Sequence, residues 1–199
     1  MKIAFEKGKW SIAREETDLD HFVKDFVSVL NAQKVKYVLV SGYVAILFGR
    51  SRNSEDVDFF IERVDFDRFN SLWDRLMERF DPVVSDNARE AYEMYLSEGL
   101  STRVAPRGKF IPNAEIKFPT KELQEWALAH PVTASLNGFA LETSRLESQI
   151  PYKLLLGTHK DFEDAEHLWR VTKDYLDRDM LDSFIRQLGV QKEAKEWLS

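Results

Sequence analysis

The sequence predicts an α+β chain, with an α/β part reaching to about residue 143 and an all-helical part over 144–199. Three observations carry that reading. Short β-rich runs alternate with helical apolar periodicity in the first part. An Asn137-Gly138 step separates two strand-like runs, as in a tight hairpin. Beyond Ser144 the apolar residues recur only at helical spacing.

Taken in order, Thr17 and Asp20 make a capping-box pattern, and Leu19, Phe22, Val23, Phe26, Val27 and Leu30 repeat at helical spacing, which predicts a helix over 18–32. Residues 36–40 are a short β-rich run, and Gly42 turns the chain into a brief helix ending near Gly49. A second strand covers 56–62. Asp65 then caps a helix whose stripe is Phe66, Phe69, Trp73, Leu76 and Phe80, and 88–96 reads as another short helix. Residues 100–119 are strand-like, punctuated by Pro106-Arg107-Gly108 and Ile111-Pro112-Asn113. A helix from Thr120 or Lys121 to His130 precedes the hairpin, placed at 132–141. Ser144 with Glu147 reads as a capping box opening helices near 146–157, 160–174 and 178–188, followed by a charged tail.

Composition narrows the function classes. At 199 residues the chain is long enough to bury a real core, and a net charge of −6 argues against a protein that coats nucleic acid non-specifically. With no cysteine, thiolate metal sites and cysteine nucleophiles are excluded. The N-terminal MKIAFEKGKW lacks an apolar signal region, and no apolar run approaches the ~20 residues of a membrane span, so a cytoplasmic protein is expected.

Residues 37–62 carry the chemistry. Asp56 and Asp58, two apart on a strand, emerge on the same face. Asp is disfavoured inside strands, and Val57, Phe59, Phe60 and Ile61 around the pair read as buried strand. Two acids in such a run need a reason. The bland one is that they solvate a strand end; the functional one is that they hold a hard divalent cation. Ser41-Gly42 lies at the strand-to-helix turn, where glycine lets backbone N–H groups approach a phosphate. Arg52 and Ser54 stand just ahead of the acids.

The string SGYVAILFGRSRNSEDVDFFIE resembles the nucleotidyltransferases of the DNA-polymerase-β superfamily. Their pattern is a hydrophobic residue, Gly, then Gly or Ser, and some way downstream Asp-hydrophobic-Asp; here 43–55, thirteen residues, separate Gly42 from Asp56. The string Arg52-x-Ser54-x-Asp56-Val57-Asp58 is similar to the standalone prokaryotic branch that includes abortive-infection toxins. The resemblance covers about 20–170 and implies a mixed sheet flanked by helices, a nucleotidyltransferase domain over 1–143 and a helical domain over 144–199. It implies Mg²⁺ (or Mn²⁺) on Asp56 and Asp58, and phosphate contacts from Ser41, Gly42, Arg52 and Ser54. The chain departs from the pattern in that Ser41 precedes Gly42 where glycine usually leads.

The resemblance also implies a third carboxylate on a neighbouring strand, best fitted by Glu115 in Ala114-Glu115-Ile116. Lys117 shares its face and either contacts phosphate or pairs with Glu115 and weakens metal binding. A second constellation, Lys153 with Lys160, Asp161 and Asp164, resembles the C-terminal motifs of the same branch. There Lys153 and Lys160 are implied to bind triphosphate, and Asp161 to serve as an acid on the acceptor side. The bland alternative is a solvated helix face.

His21, His130, His159 and His167 have no ligand-like spacing, and Trp73, Trp126 and Trp169 read as core. Arg103, Arg107 and Lys109 make a basic cluster expected in an exposed loop. The expected reaction is transfer of a nucleoside monophosphate from an NTP to an acceptor hydroxyl on a tRNA or other RNA, a protein or a small aminoglycoside-like molecule, with pyrophosphate released. The alternatives are a catalytically inactive nucleotide- or partner-binding module of a toxin–antitoxin-like pair, and an interaction protein whose acids only cap a strand.

Overall fold

In the computed structural model, which describes residues 1–198, one nine-stranded mixed sheet runs through the molecule in the order β1-β2-β8-β9-β3-β4-β7-β6-β5. Its strands are β1 (Lys2–Glu6), β2 (Lys9–Ala13), β3 (Tyr37–Val40), β4 (Asp56–Ile61), β5 (Phe80–Pro82), β6 (Thr102–Pro106), β7 (Asn113–Lys117), β8 (Val132–Leu136) and β9 (Phe139–Thr143). The helices are α1 (Asp18–Ala32), α2 (Gly42–Leu47), α3 (Phe66–Met77), α4 (Ala88–Glu90) running into a π-helical turn (Ala91–Leu96), α5 (Glu122–Ala129), α6 (Leu146–Leu156), α7 (His159–Thr172), α8 (Arg178–Leu188) and α9 (Gln191–Trp197).

The expected mixed sheet, flanking helices and C-terminal helices are all present. β4 lies at the centre, antiparallel to β3 and parallel to β7. Its alternation settles the two faces: Val57, Phe59 and Ile61 are buried, while Asp56, Asp58 and Phe60 lie on the other side. The buried row meets α1, where Phe26 packs 4.7 Å from Phe59, and Phe22 reaches Phe80 edge-on at 5.8 Å.

α1 starts where its capping box placed it. Asp20 accepts from the Thr17 backbone at 2.7 Å, and Thr17 Oγ1 accepts from the Asp20 backbone. The same buried carboxylate takes both Arg14 donors at 2.7 Å and the Tyr43 hydroxyl at 2.7 Å, which fastens α2 to α1. Burial alone would raise the Asp20 carboxyl, but those bonds outweigh it and hold it at about 2.

Several boundaries depart from the expectations. β1 and β2 form an N-terminal hairpin that extends the sheet along β8. Its signal is the alternation of Ile3 and Phe5, then Trp10 and Ile12, around Lys7-Gly8, both at positive φ. Phe80 belongs to β5 and not to the helical stripe, because α3 stops at Met77. Ser144 does not cap α6: Arg145 occupies that position, and the Ser144 hydroxyl instead donates to Gln149 at 2.9 Å. The charged tail folds as α9. Arg103 sits on β6 rather than in a loop. Asn137-Gly138 turns the β8–β9 hairpin with both residues at positive φ, as expected. No helix of the described residues is long and apolar enough to cross a membrane.

Candidate active site

β4 carries Asp56 and Asp58 onto the face opposite α1, and strand register builds the rest of the row. Val40, Asp58, Glu115 and Arg103 stand side by side across β3, β4, β7 and β6. The structure therefore brings Glu115 beside the aspartate pair, one strand spacing away. Its side chain, however, is already engaged. Glu115 accepts from Arg103 Nε at 2.8 Å and from the same guanidinium a second time, and it pairs with Lys117. Burial works to raise this carboxyl, but Lys117 and Arg103 outweigh it and hold it below its ordinary range. Of the two fates open to Lys117, pairing with Glu115 is the one observed.

Asp58 is set differently. Burial, together with the charges of Glu115 and Asp56, pushes its carboxyl up to about 6, with Lys117 and a hydrogen bond from Ser41 opposing the rise. Asp56 receives the Ser54 hydroxyl at 3.4 Å. A carboxylate couple with surplus negative charge fits a hard divalent cation at Asp56 and Asp58. A ligand triad that includes Glu115 fits less well, and among the described residues no three His, Cys, Asp or Glu side chains are placed to hold a metal.

The turn before α2 is strained. Ser41 has φ 62° and ψ −132°, a region that favours glycine. Gln149, on α6, clamps it: Nε2 donates to the Ser41 carbonyl at 3.0 Å and Oε1 accepts from the Ser41 N–H at 3.4 Å. Sequence reasoning missed Gln149, and nothing local singles out one glutamine on a helix. Gly42 makes room for an arginine, since a Cβ there would lie 2.8 Å from Arg52 Nη2.

Arg52 also links the two constellations. Its Nη2 donates to Ser54 at 3.3 Å, and its Nη1 meets Asp164 on α7 at 2.6 Å. Asp164 is fully buried and also forms ion pairs with Lys153 at 3.0 Å and Arg50 at 2.9 Å. Lys153 in turn reaches Asp161 at 2.6 Å. A polar chain thus runs from Lys153 through Asp164, Arg52 and Ser54 to Asp56. Arg50 was not among the expected site residues, and Asp164 was expected only as a member of the second constellation with no role of its own; what both do emerges only when α7 packs against α2. Asp161 is held by Lys153 and Thr158, which overcome its burial and keep its carboxyl low. Lys160 is exposed and does not join the chain.

A cavity of about 170 Å³ opens beside Asp58, between the sheet face, α5 and α6. Asp58, Glu115 and Lys117 meet Leu123, Ala127, Tyr152 and Leu156 on its wall. A larger groove of about 810 Å³ lies at the other end of β3 and β4, past Lys36 and Glu62, and no expected site residue lines it.

This architecture, with the acid-bearing central strand beside a small-residue turn, is the nucleotidyltransferase fold. The chain is similar to an antigenic nucleotidyltransferase-like protein from Paracoccidioides brasiliensis, with 17% identity, a TM-score of 0.51 and coverage of 89% of this chain and 92% of that one. It is similar to the lincosamide antibiotic adenylyltransferase LnuA, solved with lincomycin bound, at 14% identity and a TM-score of 0.50, covering 80% of this chain and all of that one. The antibiotic-resistance factor ANT(2'')-Ia, described as having substrate-regulated conformational dynamics, matches with a TM-score of 0.53 at 10% identity, over 90% and 97% of the two chains. No protein-family model and no curated protein matches the sequence.

Proposed function

We propose that this protein is a nucleotidyltransferase that moves a nucleoside monophosphate from an NTP to an acceptor hydroxyl. The observation that carries the reading is the half-buried Asp56–Asp58 couple, held by hydroxyls and by no ion pair among the described residues, on the strand next to the Ser41-Gly42 turn. Asp56 and Asp58 would hold Mg²⁺ or Mn²⁺, which when bound polarises the phosphate and the attacking oxygen. The rest falls to this chain's own side chains. Arg52, seated against Gly42, and Lys153, buried and placed by Asp161 and Asp164, would supply fixed positive charge toward the polyphosphate. A carboxylate held as low as Asp161 is a weak base, so its part is to position Lys153. The acceptor oxygen bonds to the α-phosphorus as the bond to pyrophosphate breaks, and its proton passes to solvent. The acceptor is a hydroxyl of RNA, of a protein or of a small molecule, and an NTP-dependent reaction suits a cytoplasmic setting.

The test is to incubate the pure chain with each labelled NTP, Mg²⁺ and, separately, total RNA, protein lysate and small-molecule extract. Transfer of label to one fraction, abolished by Asp58→Ala, is the expected result; no label transferred from any NTP ends this reading. A second reading has its own support. Arg103 and Lys117 occupy Glu115, and every cation near the turn has an internal acid partner. Those features favour a nucleotide- or partner-binding module of a toxin–antitoxin-like pair. Nucleotide binding in calorimetry without any pyrophosphate release would select it.

A further inference from the structure

The three carboxylates of the site do not share one electrostatic setting, and the difference bears on the transfer proposed above, on which this inference rests. Both side-chain oxygens of Glu115 are engaged by fixed cations: Oε2 by Arg103, at 2.8 Å from Nε, and Oε1 by Lys117. The carboxylate is buried, so making it a metal ligand would break both pairs and set a divalent cation beside two positive charges. Asp56 and Asp58 have no such partners: among the described residues the only side-chain hydrogen bonds that reach them come from the hydroxyls of Ser54 and Ser41. One strand spacing thus separates a couple with no ion-pair partner from an acid that already has two.

Lys117 is the cation that faces the chemistry. It lies two residues beyond Glu115 on the same face of β7 and lines the cavity that Asp58 also lines. One of its three N–H donors goes to Glu115, which fixes the ammonium and leaves two for groups entering the cavity. Arg103 braces Glu115 from the far side, on β6.

We infer that the site takes a single divalent cation, on Asp56 and Asp58, and that Lys117, held in place by Glu115, supplies the second positive charge for the reaction. As the acceptor oxygen bonds to phosphorus and the pyrophosphate bond breaks, negative charge builds on the phosphate oxygens. The ammonium offsets that charge without giving up its proton.

The experiment counts Mn²⁺ bound to the full chain by electron paramagnetic resonance, with a non-hydrolysable NTP analogue present, alongside label-transfer rates. Wild type is expected to hold one ion per chain, and Arg103→Met/Lys117→Met, which frees Glu115, to hold two. Lys117→Met is expected to cut transfer by about tenfold or more, equivalent to ~1.4 kcal/mol, while leaving Mn²⁺ affinity close to wild type. Lys117→Arg should recover part of the rate. Two ions on the wild type, or full transfer by Lys117→Met, would overturn the inference and leave nucleotidyl transfer standing. If wild type binds no Mn²⁺ and transfers no label, the proposed function fails and this inference goes with it. The wild-type count and the single variant decide the matter even where the double variant does not fold.

Discussion

The buried carboxylate of Asp164 lies 2.6 Å from Arg52 Nη1 and 3.0 Å from Lys153 Nζ, and so joins the C-terminal helices to the loop that leads into the strand carrying the acids. Three cations converge on it once Arg50 is included. Replacing one member of a buried ionic cluster leaves the others desolvated and unbalanced, which costs about 3–5 kcal/mol. Asp164→Leu is therefore expected to lower the thermal midpoint by many degrees, and Asp164→Asn by less, because the amide oxygen still accepts. Calorimetric melting of the two variants checks this, and a midpoint unchanged in both would show that Asp164 does not tie the helices to the sheet.

Asp58 makes the stability of the fold depend on pH. Its carboxyl rises to about 6 on folding, chiefly through burial and then through Glu115 and Asp56. A group whose folded pKa is raised stabilises the fold below its unfolded value and loses that contribution as pH climbs through the folded value. In metal-free protein Asp58 therefore favours the fold near pH 4 and opposes it above about 6. Asp58→Asn is expected to melt higher than wild type at pH 7, by a few degrees, with the gap closing at pH 4. A wild type that melts higher than the variant at pH 7 would contradict this. In the same variant, and in Asp58→Ala, label transfer from NTP is expected to vanish.

Ser41 occupies backbone that glycine would take without strain. Ser41→Gly is expected to raise stability by about 1 kcal/mol, the usual order of such strain, less what the lost hydrogen bond to Asp58 contributed. Urea unfolding measures the difference directly. A variant clearly less stable than wild type would mean that the hydroxyl matters more than the backbone.

Gln149 holds both backbone groups of Ser41, so Gln149→Leu should loosen that turn while keeping the side-chain volume. The expected result is a loss of about 1–3 kcal/mol, from backbone groups left unpaired, and weaker binding of a non-hydrolysable NTP analogue in calorimetry. Unaltered nucleotide affinity would separate the clamp from the site.

Thr17→Ala removes a hydroxyl that accepts from the Asp20 backbone N–H and donates to the Asp20 carboxylate, while the Thr17 backbone N–H keeps its own bond to that carboxylate. Because Asp20 also anchors Arg14 and Tyr43, the cost is expected at the upper end of capping effects, about 2 kcal/mol. A shift in the urea midpoint equivalent to a few tenths would show that Asp20 holds its partners without the cap.

By itself the sequence determined most of the elements and the acid pair. Helical spacing and a capping box fix α1, Asn137-Gly138 fixes a hairpin, and alternation within 56–61 fixes which side chains face away from the core. All of these are local: the residues that specify each feature are neighbours along the chain, so their pattern survives in one dimension. Even the missed N-terminal hairpin had its signal in the alternation around Lys7-Gly8. What only the tertiary structure decided were the partners. Glu115 was legible as an acid beside the couple, but whether its charge was free depended on Arg103, brought opposite by the register of β6. Gln149 under Ser41 and Asp164 under Arg52 meet across 108 and 112 residues of chain. Contacts at that separation are set by how helices pack on a sheet, and the ionic state of every group in the site follows from them.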